Sequence, residues 1–234
     1  MPSKTYEKAI EQCSIFHRTR KTFSGNGVLK HLGTLLDFSN GIGARSGIDY
    51  GCGKGLQYRE GIKLVDGAEA GGPDTLEGML GFEVFKFDPC VEMFAEPPPE
   101  PADLVWCVDV LECVPEQDMQ HVIEDLARLA LKGLFVTVAS YPSKKKLPNG
   151  DNAHLTVRPA EWWRANCTTL TSGLPNELEN FLGYIGLRCF TEWVAGSRAS
   201  RSGSTRRINL EPTLGRHPQP SPPARAWRDL QWPD

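Results

Sequence analysis

Eight consecutive residues, Ile48 to Gly55 (IDYGCGKG), combine an apolar lead-in, one acid and three glycines at alternate positions. Glycines so spaced, where a strand feeds a helix, let the backbone take positive φ and come close to a nucleotide that side chains would hold off. Two phosphate-binding patterns fail on spacing. A dinucleotide fingerprint requires its third glycine at position 56, which is Leu56, and a P-loop requires Ser or Thr after Lys54, where Gly55 stands.

A second acid closes the segment FEVFKFDP (82–89). Asp88 sits where a strand-end carboxylate accepts both hydroxyls of a ribose; the other reading is that Asp88 and Pro89 cap the next helix. It lies 33 positions beyond Gly55, against ~20 in a compact dinucleotide unit, and the Gly- and acid-rich stretch 66–81 accounts for the surplus. Downstream, PNGDNAHLTVRPAEWW (148–163) should arch over the same edge as a substrate lid. Asn152 and His154 are its polar candidates, with Tyr141, Trp162 and Trp163 as apolar or stacking walls. Lys144, Lys145 and Lys146 read either as a solvated loop or as a contact for a phosphate or carboxylate.

The acid with Gly-x-Gly-x-Gly at Asp49, Gly51, Gly53 and Gly55 resembles the first motif of class I S-adenosylmethionine (AdoMet) dependent methyltransferases. The resemblance implies that Asp49 supports the glycine turn and the methionine amino group, and that Gly51, Gly53, Gly55 and Asp88 belong to the cofactor site. DLVWCVDVLECVP (103–115) is similar to the fourth motif, where many relatives read Asp-Val-Leu-Glu-His; here Cys113 replaces that His. Asp109 and Glu112 would then face the reactive end of the cofactor, with Asp109 placing a substrate, taking a proton, or merely capping a helix near Pro115. From Thr22 through Trp163 the layout looks like uncharacterised methyltransferases of phage and proteobacterial genomes. It departs from the broader pattern between Asp88 and Asp103, where a third strand and the adenine-contacting motif usually lie.

To position these groups the chain must alternate strands and helices. The expected strands are 46–50, 82–89, 103–112, 134–140 and 187–196. The expected helices are two within 6–37 split by FSGNG (23–27), one from Gly55 to Ile62, one from Pro115 to Lys132, and two over 159–167 and 173–186. Such alternation predicts an α/β fold, a doubly wound, mostly parallel sheet of Rossmann-like methyltransferase type with helices on both faces. The catalytic domain spans 1–196, and 197–234 is a Ser/Arg/Pro tail without core-forming composition.

Composition narrows the partners. The net charge of −3 divides into about −7 before Gly196 and a basic remainder with seven Arg against three acids. An acidic body disfavours a broad nucleic-acid footprint. Seven scattered cysteines without a Cys-x-x-Cys pair suit reduced thiols in the cytoplasm and no metal site, and no stretch reaches the ~20 apolar residues of a membrane span. The resulting expectation is methyl transfer from AdoMet to a small molecule or nucleotide. An RNA or protein methyltransferase recruited through the tail, and a non-catalytic binding module, are the alternatives. VDVLECVP lacks the Asp/Asn-Pro-Pro-aromatic motif of amino-methylating DNA enzymes. The Pro89-Cys90 pair follows the second strand, not the fourth, which excludes cytosine-carbon chemistry.

Overall fold

The computed structural model describes residues 3–19, 23–58, 75–163 and 165–166 and the strand 182–188. All lie in the first of the two units, Met1–Ser197 and Arg198–Asp234, into which the chain divides. The segments 59–74 and 167–181 and the whole basic tail, including Trp227 and Trp232, lie outside the described residues.

Five strands form one parallel sheet: β1 Gly47–Tyr50, β2 Val84–Phe87, β3 Ala102–Val108, β4 Ala130–Ala139 and β5 Leu182–Arg188, in the order β2-β1-β3-β4-β5. The register sets Ile48 beside Phe85 on one side and Val105 on the other. Between β2 and β3 the chain crosses β1 with a single 3-10 turn, Glu92–Phe94, and no additional strand. β2 is therefore one edge of the sheet and β5 the other.

The pleat divides the core, because successive side chains point to opposite faces. Val105 and Cys107 of β3 join Leu134, Val136 and Val138 of β4 on one face. There helix α4 (Met119–Leu129) buries Met119, Val122, Ile123, Leu126 and Leu129, one stripe at helical spacing. On the other face Leu104, Trp106 and Phe135 meet Leu32 and Leu35 of helix α2 (Leu32–Gly41). Each such side chain contributes ~1.5–3 kcal/mol on leaving water, so the two layers hold the central strands from both sides. Helix α1 (Lys4–Thr19) is tied to the start of α4: the Ser3 N–H and hydroxyl donate to Asp118 at 2.8 and 2.6 Å.

The β2 edge is covered. Helix α3 (Leu76–Leu80) begins at Thr75, whose hydroxyl accepts the Gly78 N–H, and brings Glu77 against β2. The Glu77 carboxylate accepts the Val84 N–H at 3.0 Å and the Lys86 ammonium at 2.7 Å, and Lys86 also donates to the Val84 carbonyl at 3.1 Å.

Four expected elements are corrected. The helix expected from Pro115 to Lys132 starts at Met119, after a 3-10 turn, and stops at Leu129 because Ala130 turns extended and pairs with Ala102. The apolar residues at 130 and 131 continue a strand, not a helical stripe. Residues 182–186, expected to end a helix, are strand, paired in register from Gly133↔Leu182 to Ala139↔Arg188; a neighbouring strand overrides local preference. The stretch read as loop over 66–81 contains α3, capped by Thr75. The helix expected from Gly55 is, among described residues, a 3-10 turn at Leu56–Tyr58. The expected strand residues 189–196 lie outside the described residues. No described helix is long and apolar enough to cross a membrane.

Candidate functional site

A cavity of about 420 Å³ opens at the carboxyl ends of β1, β2 and β3, where the strand order reverses between β1 and β3. Open parallel sheets bind ligands at this place. Gly51, Gly53, Asp49, Asp88, Asp109 and His154 all line it.

The glycine turn has φ of 87°, 60° and 63° at Gly51, Gly53 and Gly55, values that L side chains rarely adopt. Protein also fills the space a Cβ would need: the Val110 side chain at Gly51, the Phe23 carbonyl oxygen at 2.5 Å at Gly53, and the Phe94 ring at 3.0 Å at Gly55. Gly55 faces Phe94 and is not part of the cavity wall. The amides of the turn are engaged internally. Gly51 and Cys52 donate to the Phe87 carbonyl, Lys54 to Phe23, Gly55 to Cys52 and Leu56 to Ser24, while Gly53 donates to Asp88. A phosphate nest needs outward N–H donors, so this turn suits a ligand portion without phosphates.

Asp88 knits two strand ends together. One carboxylate oxygen accepts the Gly53 N–H and the other the Cys90 N–H, both at 2.9 Å. Burial raises its pKa, opposed by the nearby His17 charge and these backbone donors. Asp49 is 3 % exposed and accepts from Tyr58 Oη at 2.7 Å and Gln57 Nε2 at 3.0 Å. Burial pushes its carboxyl up to about 6, against those hydrogen bonds. Gln57 Nε2 also reaches the Cys52 carbonyl at 3.3 Å, so Asp49 supports the turn through an amide bridge.

Asp109 ends β3 with φ of 56°, one of two non-glycine residues with positive φ among those described. Its N–H donates to the Thr137 carbonyl at 2.9 Å and its carboxylate accepts the Thr137 hydroxyl at 3.1 Å. It caps no helix, since α4 begins at Met119. Glu112 is fully buried: its carboxylate accepts the Ala139 N–H at 3.0 Å and its carbonyl the Thr156 N–H at 3.0 Å. It joins β4 to the downstream loop. Burial pushes the Cys113 thiol well above its ordinary value.

The loop after β4 folds on itself. Asn152 accepts the Ser143 N–H at 2.9 Å and donates to the Ser143 carbonyl at 2.8 Å, and Ala153 donates to the Lys145 carbonyl at 3.0 Å. Asn152 is thus a clasp. It delivers His154, whose Nδ1 lies 2.6 Å from the Tyr141 carbonyl oxygen. A carbonyl only accepts, so Nδ1 carries the hydrogen and the neutral ring holds its basic lone pair on Nε2. Trp162 and Trp163 do not line the cavity; Trp163 is fully buried in the α4 layer and Trp162 packs edge-on against it. Lys144 and Lys145 do line it, and Lys146 does not.

The sequence led to the expectation of a helix within 6–37, and α1 is that helix, but it gave the helix no place at the site. Tyr6, Ile10, Cys13 and His17 form one cavity wall, and their three- and four-residue spacing was the only signal. The Cys13 thiol is held below its usual range by a hydrogen bond from the Cys90 thiol and by His17, and the Cys90 thiol is pushed up in return. Among the described residues no group of three or more His, Cys, Asp or Glu side chains is placed to hold a metal ion. No protein-family model, curated protein or solved structure matches this chain.

Proposed function

We propose that the chain is a methyltransferase carrying the methyl group of AdoMet to a small-molecule or nucleotide acceptor. One observation carries this reading: a glycine turn with no outward amides, joined to the ribose-type acid Asp88, faces Asp109 across the crevice where the strand order reverses. A nucleoside without phosphates is the kind of ligand such a turn accommodates, and about 420 Å³ lies within the ~300–1,000 Å³ of small-molecule pockets.

When bound, AdoMet supplies a methyl already activated on a sulfonium. Asp49, Asp88, Asp109 and Glu112 make the lining negative, which favours a ligand with a sulfonium and an ammonium. With its pKa near 6, Asp49 is ionised at neutral pH and suits the ammonium. Each Asp88 oxygen keeps a second lone pair beyond its backbone N–H, the capacity that two ribose hydroxyls require. Ile10, Val28, Val108 and Val110 supply apolar parts of the lining. His154 takes a proton at Nε2 where the acceptor begins protonated, and Asp109 orients it. Holding the acceptor in line accounts for ~7–11 kcal/mol of barrier.

The test is calorimetric titration with AdoMet and its demethylated product, followed by incubation with methyl-labelled AdoMet and a host extract. Binding with label in small molecules supports the proposal. Absence of heat on titration overturns it. Label in nucleic acid or protein would favour recruitment through the tail, and binding without any labelled product would favour a non-catalytic module.

A further inference from the structure

The fold brings together two thiols that the chain keeps apart. Cys13 sits inside α1 and Cys90 in the turn after β2, 77 positions later, and both line the cavity. The Cys90 thiol donates a hydrogen bond to the Cys13 sulfur, so the two side chains meet. Each rides on fixed backbone. Cys13 belongs to a helix whose start is tied to Asp118, and Cys90 to a turn in which its own N–H donates to the Asp88 carboxylate at 2.9 Å and Val91 to the Asp88 carbonyl at 3.0 Å.

Their surroundings set them apart from the other described cysteines. Cys52 and Cys107 are buried, and burial holds the Cys113 thiol protonated; Cys13 and Cys90 are partly exposed at the cavity, within reach of a small oxidant. Cys167 and Cys189 lie outside the described residues. One helical turn after Cys13, His17 is a second hydrogen-bonding partner of its sulfur. Both bonds favour the thiolate, the form of cysteine that oxidants attack.

We propose that Cys13 and Cys90 are a reversible modification site, a thiol pair that hydrogen peroxide converts to a disulfide. The Cys13 thiolate attacks one peroxide oxygen, the O–O bond breaks, and the departing hydroxide takes up the proton Cys13 had released, leaving sulfenic acid on Cys13 and one water. The Cys90 sulfur then attacks the sulfenic sulfur, the S–O bond breaks, and the Cys90 proton leaves with the hydroxyl as a second water. Two thiols lose two electrons and one peroxide gains them. The disulfide pins α1 to the turn that holds Asp88, and the Cys90 N–H is a backbone donor to that carboxylate. Oxidation therefore acts on the cavity through Asp88. Its effect on AdoMet rests on the methyltransferase reading; the disulfide itself does not.

The reduced full chain is treated with hydrogen peroxide, blocked with an alkylating agent and mapped by mass spectrometry. AdoMet affinity is measured calorimetrically before oxidation, after it, and after dithiothreitol. A Cys13–Cys90 peptide pair should appear and vanish with the reductant, while Cys52 and Cys107 alkylate only on denaturation. Cys90→Ser should leave sulfenic acid on Cys13, trapped by dimedone, and Cys13→Ser should leave Cys90 a thiol. Wild-type AdoMet affinity should fall at least about fivefold on oxidation and return on reduction; that of Cys13→Ser, whatever its starting value, should not respond to peroxide. The inference is overturned if no Cys13–Cys90 pair forms in the wild type, a result that does not depend on how the variants fold, or if peroxide joins Cys13 to another cysteine instead. A disulfide that leaves AdoMet affinity unchanged overturns the action through Asp88. A disulfide in a protein that binds AdoMet in neither state supports the thiol pair and removes the methyl donor.

Discussion

The Asp88 carboxylate accepts the Gly53 N–H at 2.9 Å across 35 positions of sequence, making the end of β2 and the turn after β1 a single unit. Asp88→Asn presents an amide NH₂ to either the Gly53 or the Cys90 N–H. The variant should lose ~1–3 kcal/mol in urea unfolding and bind AdoMet at least about tenfold more weakly. Wild-type affinity in this variant would remove Asp88 from the cofactor site.

If Asp49 holds the donor's ammonium as proposed, stability and AdoMet binding should respond to pH in opposite directions. The folded pKa of Asp49, about 6, lies above the ~3.9 of an unfolded Asp. Between those values the native state keeps a proton the unfolded state has released, so stability without ligand falls as pH rises from ~4 to ~6 and then levels. Asp88, also raised, adds the same sign. Asp49→Asn should flatten part of this fall in urea unfolding and leave the protein more stable at pH 7. AdoMet affinity of the wild type should rise through pH 6 and that of the variant should not.

Two glycines with positive φ separate packing from backbone preference. At Gly53 (φ 60°) a Cβ would stand 2.5 Å from the Phe23 carbonyl oxygen, whereas at Gly150 (φ 92°) nothing lies within 4 Å. Gly150→Ala should cost ~1–2 kcal/mol, the left-handed penalty alone. Gly53→Ala should cost more than that and abolish AdoMet binding. Equal melting temperatures for the two variants would contradict this.

Asp109 carries backbone strain at the mouth of the crevice. Asp109→Gly removes a left-handed penalty of ~1–2 kcal/mol while losing the hydrogen bond to Thr137, so stability should change little. Methyl transfer should nevertheless fall by ~100-fold or more. Unchanged turnover would leave Asp109 as a purely structural turn residue.

Local signals recovered the parts of the chain that have local causes. The alternation of apolar strands and breakers made the parallel sheet legible, and the glycine spacing marked the turn whose positive φ values the structure contains. Elements decided by neighbours were illegible: Ala130 and Leu131 continue a helical stripe but belong to β4, where Ala130 pairs with Ala102 of β3, and Leu182 to Gly186 pair with β4. The site divides in the same way. Acids at strand ends could be named from the sequence, while the wall from α1 depends on a docking that no spacing announces. Trp162 and Trp163, attractive as ring platforms, went to the core beside α4.

The arrangement at β2 bears on how copies of this protein meet. The outward amide of Val84 belongs to Glu77 and its outward carbonyl to Lys86. A strand arriving from another molecule finds neither donor nor acceptor at that residue and must displace an ammonium to dock, so lateral growth of the sheet into fibres is blocked where a row of open backbone groups would invite it.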